Sequence, residues 1–122
     1  MAPRALLNGL FRTAIAAAHP SACLPPHLPP PPKLGRLIVL AAGKAAGSMT
    51  EGAEAFYSGV AARQISGIAV ARQGYGRPTK IIPVIEAGHP IPDAAGVAAA
   101  ATGAIRAVPR VTMFYNICQP GK

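Results

Sequence analysis

The stretch Arg36–Met49, RLIVLAAGKAAGSM, decides how the rest of the chain is read. Leu37-Ile38-Val39-Leu40 is a short branched apolar run of the kind buried on both faces of a parallel sheet. Two alanines and Gly43 end it, and from Lys44 the residues read as an alanine-rich helix. The order is strand, tight turn, helix. In open α/β proteins that junction lies at the carboxyl end of a strand, where ligands bind. A lysine in a first helical turn faces the positive end of the helix dipole, a mismatch of about 0.3–1 kcal/mol. An anion shared by the ammonium and the free backbone N–H groups would remove the mismatch. The alternative is that Lys44 extends to solvent and Gly43 only makes the turn; local physics leaves both open.

The chain has 122 residues, enough for one small domain with one core. Hydrophobic residues make up 51%, but with three Phe, three Tyr and no Trp that core is shallow. Glycines and charges interrupt every apolar run, so no membrane span is expected. Twelve Lys and Arg against four acids give a formal charge of +8. The cations are scattered rather than striped and are not interleaved with aromatics, which argues against nucleic acid; a preference for small anionic ligands is an equally good use of the charge. Cys23 and Cys118 are too far apart for a metal motif and form no disulfide framework, which fits a reducing cytoplasm. No metal site is expected from the residues.

Met1–Ala22 carries Arg4, Arg12 and no acid, loosely like a targeting peptide. Leu6, Leu7, Leu10, Phe11, Ala14, Ile15 and Ala18 instead recur at helical spacing and mark the apolar face of a first helix. Pro20–Lys33 holds seven prolines and reads as an extended, polyproline-like connector packed on its own domain. After the Arg36–Ala42 strand, a helix is expected over Lys44–Val60, with Glu51, Glu54 and Tyr57 on one face and Met49, Ala53, Phe56 and Val60 towards the core. Strands are expected at Ser66–Ala71 and Lys80–Glu86, where Pro83 argues for an edge or a bulge. A helix follows from Ala94 to about Val108, and residues 111–118 have the character of another strand. This alternation is that of an α/β layer with a parallel or mixed sheet.

Three loops at strand ends carry the candidate chemistry. Gly43-Lys44 lacks the surrounding residues of a Walker loop, and Gly43 with Gly47 does not form the dinucleotide fingerprint. Arg72-Gln73-Gly74-Tyr75-Gly76-Arg77 offers two arginines, with backbone N–H groups near Gly74 and Gly76 that could meet an anion; the plain alternative is a turn with solvated arginines. In His89-Pro90-Ile91-Pro92-Asp93 the prolines fix the backbone. Asp93 stands where a helix N-cap is needed, and His89 is a candidate to bind a substrate oxygen or act as a base. One face of a parallel sheet would bring the three loops together.

LIVLAAGKAAGSM, followed by GIAVARQGYGRPTKIIPVIEAGHPIPDAAGVAAA, closely resembles the N-terminal domain of bacterial glycerate 2-kinases. These are the MOFRL-associated type, often labelled hydroxypyruvate reductases, and the likeness runs from about Leu6 to Arg106, including the segment from His19 to Pro30. The resemblance implies a Rossmann-like domain and transfer of the ATP γ-phosphoryl group to the 2-hydroxyl of D-glycerate with Mg²⁺. It places the family's catalytic lysine on Lys44 and its H-P-x-P-D loop beside the cleft on His89, Pro90, Pro92 and Asp93; Gly43, Arg72, Gly74 and Gly76, from the loop readings above, complete the expected substrate- or nucleotide-binding set. It departs after Val108. The family's S-G-G-G-S loop, its distal catalytic arginine and its second domain have no counterpart in residues 109–122, which implies a truncated or frameshifted product with an out-of-frame tail.

The expectation is thus a partial Rossmann-like three-layer α/β domain over residues 1–108, with a sheet of three to four strands and no kinase activity alone. The alternatives are an NAD(P)H-linked hydroxypyruvate reductase and a non-catalytic anion-binding or assembly module. An exposed sheet edge and an uncovered helix-docking face make self-association an expectation too.

Overall fold

The computed structural model describes residues 2–106, with side chains through residue 102. The expected strand at 111–118 and the tail at 109–122 lie outside the described residues. The fold is α/β: three parallel strands, β1 (Leu37–Ala42), β2 (Ile65–Arg72) and β3 (Val84–Ala87), in the order β1-β2-β3. Between them run the helices α3 (Ala46–Phe56) and, after β3, α4 (Ala94–Arg106). Two helices precede the sheet, α1 (Pro3–Ala18) and the single turn α2 (Pro20–Cys23).

Register aligns the carboxyl ends of the strands. Ala42 pairs with Val70, and Arg72 with Ala87, so the loops after all three strands emerge at one edge of the sheet. Alternation of side chains divides the sheet into two faces. Leu37, Val39 and Ile65 pack with Ala53 of α3 and with Tyr57 just after it, and Ala41, Ala69 and Ala71 pack with Ala46. On the opposite face Ala87 meets α4, whose Gly96 lies close to its methyl group. The domain is therefore three layers deep. At Gly67, paired with Val39, a Cβ would run into the Val39 backbone, so the centre of the sheet admits no side chain there.

Several expectations change. The proline-rich segment is not simply extended: Pro20 opens the α2 turn, as proline can at the first helical position, and Pro25–His27 forms a 3₁₀ turn. The segment does pack on its own domain, through buried Leu28 and through the Tyr57 hydroxyl, which donates to the Pro29 carbonyl at 2.7 Å. Tyr57 is accordingly core rather than surface, and burial pushes its phenol pKa up. Phe56, expected in the core, is the exposed member of the pair and sets its ring edge-on to Tyr57. The helix also stops at Phe56, short of Val60.

The third strand begins at Val84 rather than Lys80. The N–H groups of Lys80, Ile81 and Ile82 donate to the Glu54 carboxylate at 2.8, 2.9 and 2.7 Å, and Pro83 has none to give. Those residues are drawn towards α3, where Ile82 is buried against Tyr57, instead of joining the ladder.

The first helix forms where its periodicity placed it, but its apolar face is uncovered. Leu6, Leu7, Leu10, Phe11 and Ile15 are all at least half exposed, and no residue of α1 is buried. Among the described residues no helix is long and apolar enough to cross a membrane.

Candidate anion-binding site

Gly43 adopts a φ of 118°, a backbone open to glycine and strained for other residues, and this reverses the chain after β1. Its N–H stays in the sheet, donating to the Val70 carbonyl at 3.0 Å, so Gly43 builds the turn and offers no N–H to a ligand. Lys44 and Ala45 complete the turn, and α3 begins only at Ala46. Lys44 therefore stands just before the N-cap Ala45, beside the positive end of the helix rather than inside its first turn. The N-terminus of α3 has no side-chain cap. Lys44 is exposed and makes no hydrogen bond or ion pair with any other described residue.

The loop after β2 closes over this turn. A Cβ on Gly47 would sit 2.8 Å from the Tyr75 carbonyl and 3.0 Å from Arg77 Cγ, so the absence of a side chain at Gly47 lets the loop lie directly on α3. The Gly76 N–H donates to Glu86 Oε1 at 2.8 Å and is not available to an anion. Arg77 Nε lies 3.4 Å from Glu51 Oε2, an exposed pair worth at most about 1 kcal/mol. The Arg72 guanidinium rests 4.9 Å from the Tyr75 ring centroid, a cation–π contact.

Asp93 caps α4, with Oδ1 accepting from the Gly96 N–H at 3.0 Å and Oδ2 from the Gly88 N–H at 2.9 Å. Each oxygen accepts one backbone N–H, so the N-cap reading holds. The His89–Pro90 peptide bond is cis.

The three loops share one edge of the sheet but form two depressions. One, of about 100 Å³, lies between the strand ends and is lined by Gly43, Arg72, Gly88 and His89. The other, of about 310 Å³, is lined by Lys44, Gly74, Gly76 and Arg77 together with His19, Ser48 and Tyr75. Of the expected residues, His89 and Lys44 are thus on different depressions, while Pro92 and Asp93 line neither. His19, Ser48 and Tyr75 were not anticipated. The Ser48 position was legible, since it lies four residues after Lys44 at the helix start, whereas nothing local in the sequence marks His19 as its neighbour.

No acid lines the larger depression, and the reason is visible in the four carboxylates of the chain. Glu51 pairs with Arg77, Glu54 holds three backbone N–H groups, Glu86 holds Gly76 and Asp93 caps α4. Burial pushes the Glu54 carboxyl pKa up, but the N–H groups of Lys80, Ile82 and Ile81 and the Lys80 charge outweigh it, and the net shift is downward. Among the described residues no group of three or more His, Cys, Asp or Glu could hold a metal ion.

Residues 6–112 match a family described as "Domain of unknown function (DUF4147)". The chain belongs to the DUF4147 family. Over 97 residues it is 37% identical to an Agrobacterium vitis protein named "Putative hydroxypyruvate reductase", a match covering 80% of this chain and 21% of that one. Over 59 residues it is 46% identical to a protein of Pyrococcus horikoshii named glycerate 2-kinase, covering 48% of this chain and 12% of the relative. The fold superposes on the crystal structure of a glycerate kinase from Thermotoga maritima with a TM-score of 0.65 and 25% identity, over 93% of this chain and 28% of that one. The matched part of this DUF4147 chain therefore spans between about an eighth and just over a quarter of the length of these relatives, and the Lys44 turn lies within the residues that match the family.

Proposed function

We propose that this chain carries one wall of a glycerate 2-kinase active site, in which Lys44 binds the phosphoryl group passing from ATP to the 2-hydroxyl of D-glycerate. The observation that carries the reading is Lys44 itself: an unpaired cation on the turn after β1, in a depression shared with Arg77 and lined by no carboxylate. The names of the Pyrococcus and Thermotoga relatives support the substrate class.

Phosphoryl transfer needs little covalent help from a protein. Its catalysis is positioning and stabilisation of charge on the transferring oxygens. The Lys44 ammonium does this as a point charge, and the open N-terminus of α3 beside it adds oriented N–H groups. Arg77 lies on the same depression, partly neutralised by Glu51. ATP phosphates fit this set of donors. Mg²⁺, which the family implies, does not fit the described residues, because each of the four carboxylates already has a structural partner; no step is assigned to it here. A second wall, supplied by the remainder of the relatives' sequence, completes the cleft in this reading, and the 122 residues alone do not turn over substrate. A cytoplasmic setting belongs to the same proposal.

The test is a graft. Replacing the matching segment of the Thermotoga maritima kinase by residues 6–106 is expected to give phosphoglycerate from ATP and D-glycerate, with turnover lost on Lys44→Met and none from the 122-residue chain alone. A folded graft whose turnover survives Lys44→Met would overturn the role of the lysine.

A second reading, NAD(P)H-linked reduction of hydroxypyruvate, has support in the name of the Agrobacterium relatives. The missing dinucleotide fingerprint weighs against it, and oxidation of NADH or NADPH by the same graft, with hydroxypyruvate, would revive it.

A further inference from the structure

The larger depression has a residue from outside the sheet loops. His19 lies at the junction of α1 and α2 and lines the wall beside Lys44, Ser48 and Arg77. Its position is built rather than incidental. The Pro20 carbonyl lies against α3 at Gly52, where a Cβ would be 3.6 Å away, and Ser48 is one turn earlier on the same face of that helix. Docking of α2 at Gly52 thus carries His19 to Ser48 and the rim of the Lys44 depression.

The ring is also oriented. The Ser21 N–H donates to His19 Nδ1 at 3.2 Å, and Ser21 Oγ lies 2.8 Å from the same nitrogen. A backbone N–H can donate only to an unprotonated nitrogen, so the proton of the neutral imidazole resides on Nε2. His19 therefore has an Nε2–H donor and no hydrogen-bond acceptor for it among the described residues.

We propose that His19 is a third ligand of the Lys44 site, donating Nε2–H to an oxygen of a bound phosphoryl group. The proposal rests on the reading of Lys44 as an anion-binding residue and extends it: the segment before the sheet supplies a directed ring N–H donor to the depression that Lys44 and Arg77 also line. Such a donor adds a directed hydrogen bond to a site that otherwise has an exposed ammonium and a salt-bridged guanidinium. Ser48 does not fill this role, since its hydroxyl donates to the Ala45 carbonyl at 3.1 Å.

Asparagine separates the two duties of the residue. In His19→Asn the side-chain oxygen still accepts from the Ser21 N–H and keeps the cap, but nothing reaches the phosphoryl position. Inorganic phosphate and ATP are titrated separately into the 122-residue chain, and binding is followed by the imidazole ¹⁵N signals. His19 Nε2 is expected to shift with both ligands while His27 stays still. His19→Asn is expected to weaken both by about ten- to a hundredfold, as loss of a hydrogen bond to a charged acceptor does, with an unchanged melting temperature. Weakening for ATP alone assigns His19 to the nucleotide, and equal weakening assigns it to any phosphoryl group; either outcome supports the proposal. Native affinity in His19→Asn, or an unmoved His19 signal at saturation, overturns it. If Lys44→Met abolishes binding while His19→Asn does not, the Lys44 reading stands and the His19 proposal falls; if the native chain binds neither ligand, both fall.

Discussion

The Tyr57 hydroxyl donates to the Pro29 carbonyl at 2.7 Å, joining the end of α3 to a proline-rich segment that begins far earlier in the chain. The tyrosine ring is core, packed with Leu28, Val39 and Ile82, so one side chain holds the connector and the sheet layer together. Removing only the oxygen isolates this tie. Tyr57→Phe is expected to cost about 1–3 kcal/mol, because it leaves a partly buried carbonyl without its donor, and chemical denaturation measures it. A change below a few tenths of a kcal/mol would mean that water replaces the hydroxyl.

Glu54 makes stability depend on acid. Its native pKa is held below the ordinary 4.5, so its contribution is fully present above that value and is lost as pH falls through the lowered native one. Glu54→Gln, which offers a single acceptor oxygen to three donors, is expected to destabilise by about 1–3 kcal/mol at neutral pH. The gap between native and variant should narrow as the solution is acidified. Melting curves of both proteins across the acid range check this; a constant gap would contradict it.

Gly47 sets the height of the arginine loop over α3. Gly47→Ala puts a methyl group 2.8 Å from the Tyr75 carbonyl, a backbone atom that cannot rotate away. The loop must lift, at an expected cost of about 1–3 kcal/mol. Phosphate affinity should fall with it, because Gly74, Gly76 and Arg77 line the depression. Thermal melts and phosphate titration of the variant test the two effects separately.

Lys44→Met preserves side-chain length and removes the charge. Since Lys44 has no partner among the described residues, stability should move by less than about 0.5 kcal/mol, as for other surface positions, while phosphate binding weakens by about tenfold or more. A variant that melts much lower than the native chain would assign the lysine a structural role.

The β1 strand, the glycine turn and the helix after it were legible because a four-residue apolar run and an alanine-rich segment obey local rules. The parallel sheet followed from their alternation with later strands. What escaped depended on partners distant in sequence. Lys80–Ile82 has the composition of a strand, yet its N–H groups go to Glu54, and no window around residue 80 contains that carboxylate. Tyr57 fell on the charged face of its helix by spacing, but Pro29 gives its oxygen a partner inside. At the site, the loops were placed on the correct edge of the sheet, whereas their division into two depressions depends on how Gly47 and Gly76 let backbone approach backbone and side chain. His19 was visible only as the start of a proline-rich stretch.

The engagement of all four carboxylates has a kinetic consequence. Each of the four carboxylates is held within about 3.5 Å of a donor or cation, and the formal charge of +8 shapes the potential beyond the surface. A diffusing polyanion meets Lys44 and Arg77 at the larger depression, with Glu51 held on Arg77 and Glu86 on the Gly76 N–H beside them. Its capture rate should therefore exceed that of a neutral ligand of the same size and fall steeply as the Debye length shrinks to about 8 Å at physiological ionic strength.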